Sequence, residues 1–150
     1  MDTGFVALKP LSEIITPNDK FVSAVDNNGK DIYNAFIAAI PHHPIIGRAI
    51  EMMLDRIERQ DYGPSDLSIT GPALLREAFR SITTQAVRPG SYNNIKLLQF
   101  SIDNRCSSGI IKSGSTEYFY TKYPSYRLDM SWYTNVENYA ILWAERRVFK

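Results

Sequence analysis

At 150 residues the chain fits one domain, and a unit of this size buries roughly 68–70% of the surface its unfolded form exposes, so a single sizeable core is attainable. Basic and acidic residues nearly cancel, 17 against 16 for a formal charge of +1, which excludes a global field drawing the chain onto nucleic acid or an anionic membrane. The single cysteine, Cys106, excludes an internal disulfide and a cysteine-rich zinc site; it fits a reducing, cytoplasmic compartment without requiring one. No apolar run approaches the roughly 18 residues of a membrane span, and the first residues lack a basic segment followed by an apolar one. The expectation is a soluble chain with no visible address.

In chain order, "GFVAL" reads as a strand, "LSEII" as one helical turn, and "KFVSAV" and "IYNAFIAAI" as strands rich in β-branched and aromatic residues. A helix follows from Pro44, a residue suited to a first helical position. Ile45, Ile46, Ala49, Ile50, Met53, Leu54 and Ile57 recur at helical spacing as its core side. Arg48, Glu51, Asp55, Arg56 and Arg59 fill the other face, with Asp55 and Arg59 as an acid-before-base pair.

A second helix starts in "TGPALLREAF", with Gly71 as cap, Pro72 in the first turn, and Leu74, Leu75 and Phe79 as its apolar side; "NIKLLQFSI" then reads as a strand. The stretches "TPND", "DNNGKD", "DYGPSD", "RPGSYNN" and "IKSGST" are turns or loops by their Gly, Pro, Asn and Asp content. From Glu117 the chain is aromatic without a clear period, and a short helix is expected near Asn138 to Arg146. Strands interleaved with helices predict an α/β fold: a mixed, short sheet of three or four strands packed with helices, in a single domain over 1–150.

Three segments together resemble the DXD-motif sugar transferases of the capsular-polysaccharide type, glycosyltransferase family 32. "MDTGFVALKPL" stands where that family ends a strand in Y-[LM]-D-x-D followed by a Leu-Lys-Pro-Leu stretch; "YNAFIAAIPHHP" matches its Asn-bearing strand and x-H-P turn; "ITGPALLREAF" matches its T-G-P helix start. The resemblance covers Met1 to Phe79, and the tail keeps only a tryptophan, Trp143. It implies a partial GT-A-like domain and transfer of a sugar from a nucleotide-sugar donor to a glycan acceptor, with retention of anomeric configuration. The family's nucleotide-binding strands, which precede the metal motif, have no counterpart here. The expected form is therefore truncated and weakly active or inactive, with another polypeptide as a candidate source of the absent half. The rival expectation is a non-catalytic remnant that binds a sugar or a protein.

The resemblance also assigns residues. Asp2 would contact the donor and a Mn²⁺ or Mg²⁺ ion, because a hard cation held by carboxylate oxygens offsets charge gained by a leaving diphosphate. Gly4 replaces the second aspartate of the motif, which weakens that assignment. Thr70, Gly71 and Pro72 would meet the donor at a helix N-terminus, where unpaired N–H groups favour negative charge; an ordinary helix cap is the alternative. Asn34 would orient a sugar hydroxyl or satisfy backbone groups at a strand edge. His43 would pack beneath the site or serve only the turn. The catalytic group is unassigned, and "YFYTKYPSYR" reads as a core edge or sugar-stacking surface rather than a nucleic-acid platform. For the resemblance to carry function, the N-terminal strand and the Thr70 turn must face one hollow.

Overall fold

The computed structural model describes residues 1, 4–103, 108–132 and 137–149. Among these residues the chain is a mixed α/β unit with one seven-stranded sheet and five helices. The strands are β1 (Val6–Ala7), β2 (Phe21–Val25), β3 (Ile32–Ala39), β4 (Gly90–Tyr92), β5 (Ile95–Asp103), β6 (Ser108–Ser113) and β7 (Thr116–Tyr120). The helices are α1 (Leu11–Ile14), α2 (Pro44–Glu58), α3 (Pro72–Ile82), α4 (Tyr126–Ser131) and α5 (Tyr139–Ala144).

The sheet is larger than the three or four strands expected. Its order is β1-β7-β6-β5-β2-β3, with β4 also pairing β5. The extra strands come from two hairpins. Asn93 and Asn94 both adopt positive φ, 44° and 69°, the conformation of a two-residue turn whose twist matches antiparallel strands. That turn makes Tyr92 pair with Ile95 and converts a stretch that reads as a loop into β4. The β6–β7 hairpin pairs the stretch before the IKSGST turn with the start of the aromatic tail, so that Ile111 lies opposite Phe119. Conversely, the N-terminal strand is only two residues long.

Only β2 and β5 run parallel, joined by a crossover that carries β3, α2, α3 and β4. Alternation along β2 divides the core. Phe21 and Val25 join Ile32, Ile45, Leu75, Phe79 and Leu97 beneath α2 and α3. Val22 and Ala24 face the other way and join Ile14, Phe36, Leu98, Ile111 and Phe119. That second face is closed by the sheet curling on itself. Phe5, just before β1, stacks on Tyr33 and Phe36 of β3 with ring centroids 6.2 and 6.5 Å apart, although β1 and β3 are the two ends of the strand order.

Inside the curl, Lys96 Nζ donates to the Ile14 carbonyl at 2.8 Å and the Asp19 carboxylate at 2.6 Å. One cation thus satisfies an orphan carbonyl of the short helix α1 and neutralises a buried acid.

The two long helices dock differently from their sequence pattern. α3 buries Ala73, Leu74, Leu75, Ala78 and Phe79, as expected. α2 buries only Ile45 completely, while Ile50, Leu54 and Ile57 stay 48%, 56% and 44% exposed. The cause is Arg56, which the pattern places on the solvent face. Its guanidinium instead donates to the Ser68 carbonyl and pairs with Glu77 of α3 at 2.5 Å. Turning Arg56 inward rotates half of the apolar stripe out.

Candidate functional site

A hollow of about 580 Å³ opens at the carboxyl end of β2, where β3, the loop before α3, and α5 meet. This is the end of a parallel strand at which α/β sheets gather ligands. Asp26 directly follows β2; Tyr33 and Asn34 lie near the start of β3; Asp66 to Thr70 belong to the loop; Gly71 caps α3 and Pro72 starts it; Tyr139 and Trp143 come from α5.

Each side chain has a local cause for its position. Between the pairs Ala24↔Tyr33 and Val22↔Ala38, β2 advances two residues and β3 five, so β3 bulges. A bulge re-aims side chains, and here Asn34 turns to place Nδ2 at 3.5 Å from the Thr70 carbonyl. The loop bearing Asp66 and Thr70 is pinned by Arg56 at the Ser68 carbonyl and by the Ser65–Ser68 hydroxyl pair at 3.0 Å. α5 is tied to the same loop. Trp143 Nε1 donates to the Tyr62 carbonyl at 2.6 Å, and the Arg146 guanidinium lies over the rings of Tyr62 and Trp143 at 4.5 and 5.0 Å. Such cation–π contacts contribute about 0.5–1 kcal/mol each at exposed sites.

Among the described residues the lining contains no Lys, Arg or His. Its charges are the carboxylates of Asp26 and Asp66. Burial raises the Asp26 pKa above the ordinary carboxylate value, and the neighbouring charge of Asp31 adds to the rise, against one hydrogen bond from the Asn27 N–H. The Asp66 carboxylate has no hydrogen bond or ion pair among the described residues. Two carboxylates that only accept, an amide that both donates and accepts, and aromatic rings from two elements make a surface suited to vicinal hydroxyls and the C–H faces of a sugar. The size lies within the usual range of small-molecule sites.

Of the residues expected to act, Asn34, Thr70, Gly71 and Pro72 come together here, with Trp143. His43 does not. It is 8% exposed, packs its ring 5.2 Å from that of Phe21, and caps α2 through Nδ1, which accepts the Ile45 N–H at 3.3 Å. Its place is that of a structural cap. Gly71 also has a different reason from the one expected. A Cβ there would sit 2.8 Å from the Leu67 carbonyl oxygen, so the missing side chain makes room for the chain's own loop rather than for a phosphate.

Asp2 lies outside the described residues. Gly4 is buried, and a Cβ at that position would lie 3.0 Å from the Tyr126 ring and 3.2 Å from the Thr121 carbonyl oxygen. A carboxylate at position 4 would have to displace Tyr126. Among the described residues no group of three His, Cys, Asp or Glu side chains stands where it could hold a metal ion. Asp2, the carboxylate expected to hold Mn²⁺ or Mg²⁺, is not among those residues, and no chemical step follows through such an ion.

Sequence reasoning missed Asp26, Asp66, Tyr33 and Tyr139 as lining residues. "DNNGKD" and "DYGPSD" carry the turn composition that hid both aspartates; the available signal for Asp26 was its position directly after a fully buried strand. No family model, no curated protein and no solved structure matches this chain. Among the described residues no helix is long and apolar enough to cross a membrane.

Proposed function

We propose that this domain binds a saccharide in the hollow between β3, the start of α3 and α5. The observation that carries the reading is convergence: Asn34, Thr70 to Pro72 and Trp143, from three separate segments, line one cavity whose only charged side chains among the described residues are carboxylates. Asp26 and Asp66 would accept hydrogen bonds from sugar hydroxyls, Asn34 would orient a third, and the aromatic side chains would cover a C–H face. Uncompensated carboxylates repel a diphosphate, and Leu67 crowds the helix start where one would bind. The reading therefore favours the sugar-binding expectation over catalysis by this chain alone.

A second reading keeps the domain as the acceptor side of a GT-A-like transferase that takes its donor with help from another polypeptide. The first turn of α3 bordering the hollow favours it. The Phe5 contact with Tyr33 lies in the core inside the curl, and no described residue of the N-terminal strand lines the hollow, which weighs against it.

Titration of the purified chain separates the two. Neutral mono- and oligosaccharides should shift amide resonances of Asn34 and the indole resonance of Trp143, with no added effect of Mn²⁺. Binding of UDP- or GDP-sugars that requires Mn²⁺ and is lost on Asp2→Ala would replace this conclusion with the transferase reading. Absence of any saccharide-induced shift would remove it.

A further inference from the structure

Three carboxylates withdrawn from solvent elsewhere in the fold each meet a cation of the chain: Asp31 pairs with Arg76, Glu77 with Arg56, and Asp19 with Lys96. The two in the hollow do not. Among the described residues neither Asp26 nor Asp66 has an ion pair, and no basic side chain stands in the wall. The basic groups that serve their neighbours are committed: Arg76 to Asp31, whose charge acts on Asp26, and Arg56 to the Ser68 carbonyl two residues beyond Asp66.

The rest of the wall supplies no positive charge but suits one. Tyr33, Tyr139 and Trp143 are aromatic, Asn34 and Thr70 polar and neutral. Aromatic rings attract cations through their quadrupole; Trp143 already does so for Arg146, which lies 5.0 Å from its ring and outside the wall. Burial and the charge of Asp31 push the Asp26 carboxyl up, and a cation in the hollow would offset both.

We propose that the saccharide of this hollow is an amino sugar, its protonated amine taken by the Asp26 and Asp66 carboxylates; this rests on the saccharide reading above. A neutral sugar leaves two like charges uncompensated in a partly enclosed site. An ammonium brings three donors and the opposite charge to groups that only accept, and the sugar ring keeps its hydroxyls for Asn34. Acetylation of the amine removes the charge and with it the preference.

The test is a titration of the full chain, followed through the Trp143 indole and Asn34 amide resonances at about pH 6.5, where an amine is protonated. Glucosamine, galactosamine and mannosamine are compared with glucose, galactose and mannose. N-acetylglucosamine serves as the uncharged amine, and cyclohexylamine as a ring amine without hydroxyls. A hydrogen bond to a charged group is worth about tenfold or more in affinity, so at least one amino sugar should bind more than about tenfold tighter than its parent. N-acetylglucosamine should bind like glucose, and added salt should shrink the gap. Asp66→Asn, which keeps the side-chain shape, should narrow the gap, and adding Asp26→Asn should close it, with the dispersion of the amide spectrum reporting that the fold persists. Equal affinity for amino sugars and their parents, N-acetylglucosamine matching glucosamine, or a gap that survives in the folded double variant would overturn the amine assignment and leave the saccharide reading standing. Binding of cyclohexylamine with no response to any sugar, or no response to any ligand, would remove both.

Discussion

α2 and α3 lie side by side on the same face of the sheet, are both strongly amphipathic in sequence, and yet bury their apolar stripes to opposite degrees. α3 turns its stripe squarely onto Phe21, Ile32 and Leu97 of the sheet. α2 spends its inward-facing position on Arg56, and leaves Ile50, Leu54 and Ile57 in water. Amphipathicity fixes that a helix has an apolar side; it does not fix which flank of that side meets the core. Where an inward cation reaches both a carbonyl and a carboxylate, those charge-assisted hydrogen bonds offset its desolvation and the exposure of a few methyl groups. The consequence is local: the residue that pins the loop of the hollow is also the one that leaves half of the α2 stripe exposed.

The comparison is sharpest in stability. Phe79→Ala, in α3, should cost about 3–5 kcal/mol, lowering the urea midpoint of unfolding, whereas Leu54→Ala, in α2, should stay within about 0.5 kcal/mol. A large loss at Leu54 would mean that α2 packs by its whole stripe after all. Next comes the residue that sets the difference. Arg56→Ala removes the donor to the Ser68 carbonyl and leaves Glu77 with Arg76, 3.6 Å away, and should cost about 1–3 kcal/mol. It should also broaden the amide resonances of residues 66 to 71, a readout that a purely global effect would not localise.

A smaller effect belongs to the start of α2. Burial lowers the His43 pKa below its ordinary 6.5, and nearby Lys20 adds to the lowering. The folded state therefore holds the neutral ring, whose Nδ1 accepts the Ile45 N–H. Unfolding binds a proton, so the contribution is complete above the unfolded pKa of 6.5 and is lost progressively as pH falls below it towards the folded value. Denaturation midpoints should decline over that window, and His43→Asn, which can cap without titrating, should flatten the decline. The smallest change is at the exposed ion pair of Asp55 with Arg59, 2.9 Å apart. Asp55→Asn should shift stability by only about 0.3–0.5 kcal/mol and less at high salt.

Part of the lining of the hollow was marked in the sequence: Thr70, Gly71, Pro72 and Asn34 stood out through the resemblance, and turn chemistry set Gly71 and Pro72 at a helix start. Asp26 and Asp66 did not stand out, because a carboxylate in an Asn- and Gly-rich turn looks the same whether it faces a cavity or open water. His43 was marked by the same resemblance, and its ring caps α2 through the Ile45 N–H two residues on.

The sequence by itself determined the elements with strong local periodicity, β2, β3, β5, α2 and α3, where composition and spacing place them; α5 stands where a short helix was expected in a stretch without a clear period. It also determined that one core with no disulfide must hold them. Only the tertiary structure decided that the start of the aromatic tail becomes one strand of the β6–β7 hairpin, that the sheet curls until Phe5 meets Tyr33, and that Arg56 points inward. The physical reason is the range of the forces involved. Helix periodicity and turn preferences act within a few residues, whereas strand pairing, curl and the burial of a charge depend on partners tens of positions away that no local pattern announces.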